Sequence, residues 1–353
     1  QFQKDNSGTV KLNISVEPKE QDSLRTNVIK DVMAAADVFT IQDSDLMVLA
    51  AGGALTQIQE SAKVQASADS DAVKAFTNKG KLYAYPSGQE KSYVLFYNKK
   101  QIGDGQVKTL EGTLKAAAAK GKKLAMDWSQ GQSVYSFFGK TGLNLSLNDD
   151  GTTNACNWNS TDHEIKGVTV AGAMGSIAGN KGFANMKEAD MVAAAKSGKI
   201  AAGIASVETA EAVKKEWGDD FAAAKLPTYS CGGKKMAMSS FLGYRAVAAN
   251  YYSENKEWAL KLAEYLAGEE AQKTRYQELN QLPVNTNVMN SEEAKKDPVI
   301  EAVSQQKSMG SLRRVGTGYE EACASFGTKM AGGEKDYQNL LDDLVKGITT
   351  SAK

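Results

Sequence analysis

Two α/β lobes, each a mixed and mostly parallel sheet flanked by helices, are what this sequence predicts. Its 353 residues exceed the size at which one hydrophobic core keeps growing, so two bodies are expected. Helical and strand periods alternate over residues 23–58 and again after residue 100, the rhythm of strands joined by crossover helices. No run approaches 18 consecutive apolar residues, which leaves no transmembrane helix and points to a soluble chain; the N-terminus has no signal-peptide pattern.

Along the chain, "QFQKDNSGTVKLNISVEP" opens as a helix end, with Phe2 on an apolar face and Asn6, Ser7 and Gly8 as a stop. An alternating strand with Val10, Leu12, Ile14 and Val16 on one side is expected next. A helix seldom starts a domain in its last turn, so a preceding strand and most of a helix are expected before Gln1. A helix then feeds a short strand at 37–41, a polar loop and another helix. "GKLYAYPSGQEKSYVLFYNKK" (80–100) holds two β-rich runs, and the break between them contains Pro86, Gly88 and Glu90; alone it reads as a hairpin with an exposed Glu. "TLEGTLKAAAAKGKK" is helical, "KLAMDW" a strand, "SVYSFFGKTG" helical, and "EADMVAAAKSGKIAAGIAS" a helix followed by a strand. Residues 227–250 read as a hairpin and a long strand. In the helical stretch that follows, Trp258, Leu262, Tyr265 and Leu266 fall at helical spacing and are expected in the core. Asp297 with Pro298 marks a helix start, and 334–349 a closing amphipathic helix with Tyr337, Leu340, Leu341 and Leu344 on one face.

Positive and negative residues balance at 42 each, which argues against a basic nucleic-acid surface. Cys156, Cys231 and Cys323 are odd in number and far apart, so neither a disulfide framework nor a zinc ribbon is expected. His163, the sole histidine, lies in a polar run that reads as a solvent-facing loop; a His-dependent triad or multi-histidine metal site is not supported.

Several stretches, taken in order, resemble the maltose and maltodextrin binding proteins that deliver sugar to bacterial ABC importers. They are "ADVFTIQDSDLMVLAAGGALTQI", "GKLYAYPSGQEKSYVLFYNKK", "KSGKIAAGIAS", residues 225–272, "LPVN" and residues 295–327. The resemblance implies the two-lobed type II periplasmic-binding-protein fold. Its N-terminal lobe would be 1–91 plus 243–296 and its C-terminal lobe 92–242 plus 297–353, with three crossings and the ligand cleft between lobes. "AYPSGQEKSY" would be the first crossing, where pairing lapses at Pro86 and Gly88; "SFLGYR" would be the second, and residues 290–297 the third. The family starts with a strand and a long helix ahead of this chain's first residues, and that segment carries sugar-contacting residues.

A sugar site needs planar acceptors for hydroxyls and aromatic plates for ring faces. In "QDSD", at a strand's carboxyl end, Asp43, Ser44 and Asp45 match the family's sugar-binding loop, although either aspartate could instead cap the next helix. Glu90 falls on the family's hinge carboxylate, with Tyr93 beside it. Tyr319 matches the stacking aromatic that is usually Trp; its other reading is a core tyrosine at a helix start. Trp128 and Tyr135 both lie where the family uses an aromatic, and the resemblance does not choose between them. Arg245 is at the second crossing, serving the cleft or pairing with an acid. Glu208 stands where relatives have a stacking Trp, a departure that speaks against maltodextrin specificity but keeps a hydroxyl acceptor. The resemblance thus implies a monomeric, extracellular oligosaccharide-binding protein, not an enzyme, that closes on its ligand and presents it to membrane permease subunits. No cofactor, metal or nucleic acid is expected; the place is the surface of a single-membrane bacterium through a lipid anchor, or the periplasm. The alternatives are a secreted glycosidase using two of these carboxylates, a binder of another sugar, and a sensor partner.

Overall fold

The computed structural model describes residues 1–19 and 21–350. Contacts divide the chain into two compact units, Gln1–Gln89 with Gly243–Ser291, and Glu90–Leu242 with Glu292–Lys353.

In the first unit the β-branched and aromatic run Val38–Gln42 pairs antiparallel with the strand Ser240–Ala249, Val38 opposite Ala249 and Gln42 opposite Arg245. The strand Tyr85–Glu90 joins the same sheet. Pro86 and Gly88 do not interrupt it. The Pro86 carbonyl accepts from Gln272 Nε2 at 3.1 Å, and the Gln89 amide donates to the Leu282 carbonyl at 2.8 Å. A side chain at Gly88 would sit 3.2 Å from that same Leu282 oxygen, so glycine serves close backbone approach and not a break. The ladder turns only at Lys91, a non-glycine residue at φ +53°.

Two other expectations fail here. Residues 10–16 form no strand: alternation supplies the amphipathic pattern, but no described strand pairs with them, and Val16 is 86% exposed. In the helix Lys256–Ala267 the buried stripe is Ala259, Ala263 and Ala267, while Tyr265 and Leu266 are exposed. Small side chains at i, i+4 and i+8 let the helix lie close to the sheet, which rotates its aromatics outward. The Phe2 ring covers part of that face, 5.2 Å from Tyr265 and 6.4 Å from Trp258.

The second unit is built on a five-stranded sheet in the order Phe221–Ala224, Tyr93–Asn98, Ile200–Ser206, Lys123–Met126, Phe183–Asn185. Ile200–Ser206, Lys123–Met126 and Phe183–Asn185 run parallel, as the alternating rhythm predicts; Tyr93–Asn98 is antiparallel to both its neighbours. The sheets are therefore mixed, with parallel pairing confined to part of them. Gly203 faces Phe96 across the ladder, and a Cβ there would lie 2.2 Å from the ring, so the absent side chain makes room for it. The core is aromatic, with Trp128, Phe137, Phe138, Trp158, Tyr229 and Phe326 all buried. Asp297 caps Pro298–Gln306 by accepting from the Val299 amide at 2.8 Å, and Leu340, Leu341 and Leu344 bury the inner face of Tyr337–Thr349. Cys231 and Cys323 are buried and Cys156 half-buried, all as free thiols. His163 is half-buried beside Ser160 Oγ, not turned to solvent.

Candidate functional site

In the first unit the strand Val38–Gln42 ends in a turn of 3₁₀ helix, Asp43–Asp45, that leads into the helix Leu46–Ala51. Asp45 and Gln42 form a reciprocal cap: an Asp45 oxygen accepts from the Gln42 amide at 3.1 Å, and Arg25 lies 4.0 Å from the same carboxylate. Asp45 thus closes the 3₁₀ turn on itself, while its side chain makes no cap bond to the helix Leu46–Ala51. Asp43 is buried and Ser44 half-buried in the same turn. Antiparallel register sets Arg245 opposite Gln42, which brings the acidic turn and the arginine to one end of the sheet. Ser87 Oγ donates to the Arg245 carbonyl at 3.2 Å. Arg275 donates to the carbonyls of Leu266 (2.8 Å) and Ser87 (3.3 Å); its burial and the nearby Arg245 charge lower its pKa.

The sequence reading missed Tyr244, next to Arg245 in "SFLGYR". It is 1% exposed, with its hydroxyl beside the Asp69 carboxylate. Burial, then Asp69, Asp71 and Asp43, push the phenol well up, so it stays a neutral donor beside acceptors.

In the second unit the carboxyl ends of the parallel strands carry a polar rim, where ligands of open α/β sheets collect. Asp127 accepts from the Ser129 amide (3.0 Å) and hydroxyl (2.6 Å) and from Gln130 Nε2 (3.3 Å), with Lys187 at 3.7 Å. Glu188 takes the Tyr93 hydroxyl on one oxygen and, on the other, Ser206 Oγ (2.7 Å) and Thr209 Oγ1 (2.8 Å). Burial and Glu188 hold the Tyr93 phenol well above its usual range. Both Glu208 oxygens accept from the Lys91 amide at 3.1 Å. Glu208 keeps solvent contact, yet protein packed around the carboxylate raises its pKa; these amide bonds oppose the rise, while Glu90 and Glu188 add to it. Glu90, itself buried, thus shares one neighbourhood with Tyr93 and Glu208. Asp127 and Glu188 were missed, although both directly follow strands or open a helix, the signal used for Asp43.

The aromatic candidates are buried in the second unit. Tyr319 is fully buried, its hydroxyl donates to the Gly131 carbonyl at 2.9 Å, and Trp158 and Phe241 meet it edge-on. Tyr135 stacks on Phe241 at 3.7 Å, and Trp128 packs against Phe183 at 4.8 Å. Tyr93 belongs to the same core. Packing within the second unit thus already engages each of these rings.

A family profile described as bacterial extracellular solute-binding protein matches residues 1–302. The chain belongs to that family. Membership makes it a solute-binding protein and not an enzyme. The chain is 26% identical over 321 residues to the galactooligosaccharide-binding protein of Bacillus subtilis (strain 168), covering 86% of this chain and 73% of the relative. Among solved structures it is similar to the maltodextrin binding protein MalE1 from L. casei BL23 without ligand, with 26% identity, a TM-score of 0.84 and coverage of 99% and 94% of the two chains. A cyclo/maltodextrin-binding protein complexed with maltotetraose shares the fold at 23% identity and a TM-score of 0.79, over 98% and 90% of the chains. The mixed α/β fold of this solute-binding protein is therefore the one that the resemblance implies. Among the described residues no helix is long and apolar enough to cross a membrane.

Proposed function

We propose that this solute-binding protein is the oligosaccharide-binding component of an ABC importer, working as a monomer outside the cytoplasmic membrane and handing its ligand to permease subunits. The observation that carries the reading is the second unit's rim of carboxylates, hydroxyls and amides at its strand ends, chemistry suited to a neutral, hydroxyl-rich ligand. Relatives named for galactooligosaccharide and maltodextrin support the same class. Asp43, Ser44 and Arg245 in the first unit, with Tyr244 beside them, are the proposed acceptors and donors there; Glu90, Asp127 and Gln130 are those of the second. Because Tyr135 and Tyr319 are already packed, recognition by hydrogen bonds outweighs stacking in this reading. Maltodextrin is the first ligand to test and galactooligosaccharide the second. Calorimetry against both series is expected to give saturable heat with one of them; no saturable heat with any neutral oligosaccharide would remove the proposal.

A further inference from the structure

Lys91 sits on the short segment that joins the strand Tyr85–Glu90 to the strand Tyr93–Asn98, and it is left-handed at φ +53° without being glycine. That conformation is disfavoured for a residue with a Cβ, so neighbouring structure has to hold it. The ladder between Tyr93–Asn98 and Ile200–Ser206 shows what does. Tyr93 is opposite Ser206, and one residue further the Val207 amide donates to the Ser92 carbonyl at 2.9 Å. Amides along an antiparallel strand point alternately to its two sides, so an extended Lys91 would turn its amide away from this ladder. There the helix Val207–Trp217 begins, and in the left-handed turn the Lys91 amide donates to both oxygens of the Glu208 carboxylate at its first turn.

We propose that Glu208 is a positioning residue: its carboxylate accepts the Lys91 amide with both oxygens, holds Lys91 in the left-handed turn, and so orients Glu90 on one side and Tyr93 on the other. A side chain at this position therefore acts on the ligand through the backbone of the joining segment and not by touching the sugar.

The backbone part stands without a ligand; its effect on affinity rests on the carbohydrate reading above. Hydrogen–deuterium exchange of the free protein is expected to show the Lys91 amide exchanging about tenfold faster in Glu208→Ala, the loss of charge-assisted bonds, and less so in Glu208→Gln, which keeps one acceptor oxygen. With the oligosaccharide that binds the wild type, Glu208→Ala is expected to weaken affinity about tenfold by the same loss. Adding Lys91→Gly, which favours the turn without help, should restore most of it. Unchanged Lys91 exchange in Glu208→Ala overturns the proposal. So does an affinity loss that Lys91→Gly leaves unrepaired, which would make Glu208 a direct ligand contact. If no neutral oligosaccharide binds the wild type, the carbohydrate reading fails on its own and the exchange rates alone decide whether Glu208 holds Lys91.

Discussion

In the second unit the large aromatic side chains point inward, Trp128, Trp158, Phe137 and Tyr319 among them. In the first, Tyr265 is exposed and Trp258 half-buried on a helix whose buried stripe is alanine. Helical spacing alone would put both sets in the same place. The difference teaches that periodicity marks an apolar face but does not say which of two neighbouring stripes meets the sheet; the size of the gap decides. Where the helix must lie close, alanine goes in. The second unit's helices Gly131–Phe138 and Tyr319–Ala331 bury rings instead, Phe137, Phe138, Tyr319 and Phe326 among them.

The sharpest way to break this contrast is to empty the second unit's core. Tyr319→Ala should lose about 3–5 kcal/mol of stability in denaturant unfolding, as for large-to-small aromatic changes in cores. A loss below about 1 kcal/mol would return Tyr319 to the list of ring plates. Filling the close gap of the first unit is the converse: Ala263→Leu is expected to cost about 1–3 kcal/mol through overpacking against the strand Val38–Gln42. Tyr265→Ala, on the same helix but 40% exposed, should stay within about 0.5 kcal/mol. If the two first-unit variants exchange magnitudes, the alanine stripe is not the packed one.

The second unit's interior also holds a carboxylate, and pH probes it. Glu211 is 4% exposed, and burial, then Asp297, raise its pKa from 4.5 to about 7, with Lys214 opposing at 3.4 Å. Because the folded-state pKa lies above the unfolded one, protonation favours the fold. The contribution is full below pH 4.5 and is lost as pH rises through about 7. Glu211→Gln should therefore flatten stability between those values, an effect of about 3 kcal/mol across the window, read from unfolding midpoints in buffers of different pH. An unchanged slope would mean that Lys214 already neutralises the site.

Much of the fold was legible. Asp297 with Pro298 announced a helix because the cap and the missing amide act locally, and the alternation through 100–206 announced strands and crossover helices because those periods are set by backbone geometry. The site was legible in part. Asp43 was singled out by its place after a strand and Glu208 only by the resemblance, while Asp127, Glu188 and Tyr244 carried equally short signals that only their partners make meaningful. The break at Pro86 and Gly88 was misread since a proline can stay in a strand whose carbonyl side is used, and a glycine there can serve a neighbouring backbone.

By itself the sequence determined the alternation of elements, the balance of charge, and the positions where helices start, since each depends on residues within a turn or two of one another. Tertiary structure alone decided which stripe of the helix Lys256–Ala267 was buried, that the rings of Trp128, Tyr135 and Tyr319 were already occupied, and that Glu208 would grip an amide 117 residues away. These depend on partners that approach only when distant segments pack, and packing distance is not written in spacing.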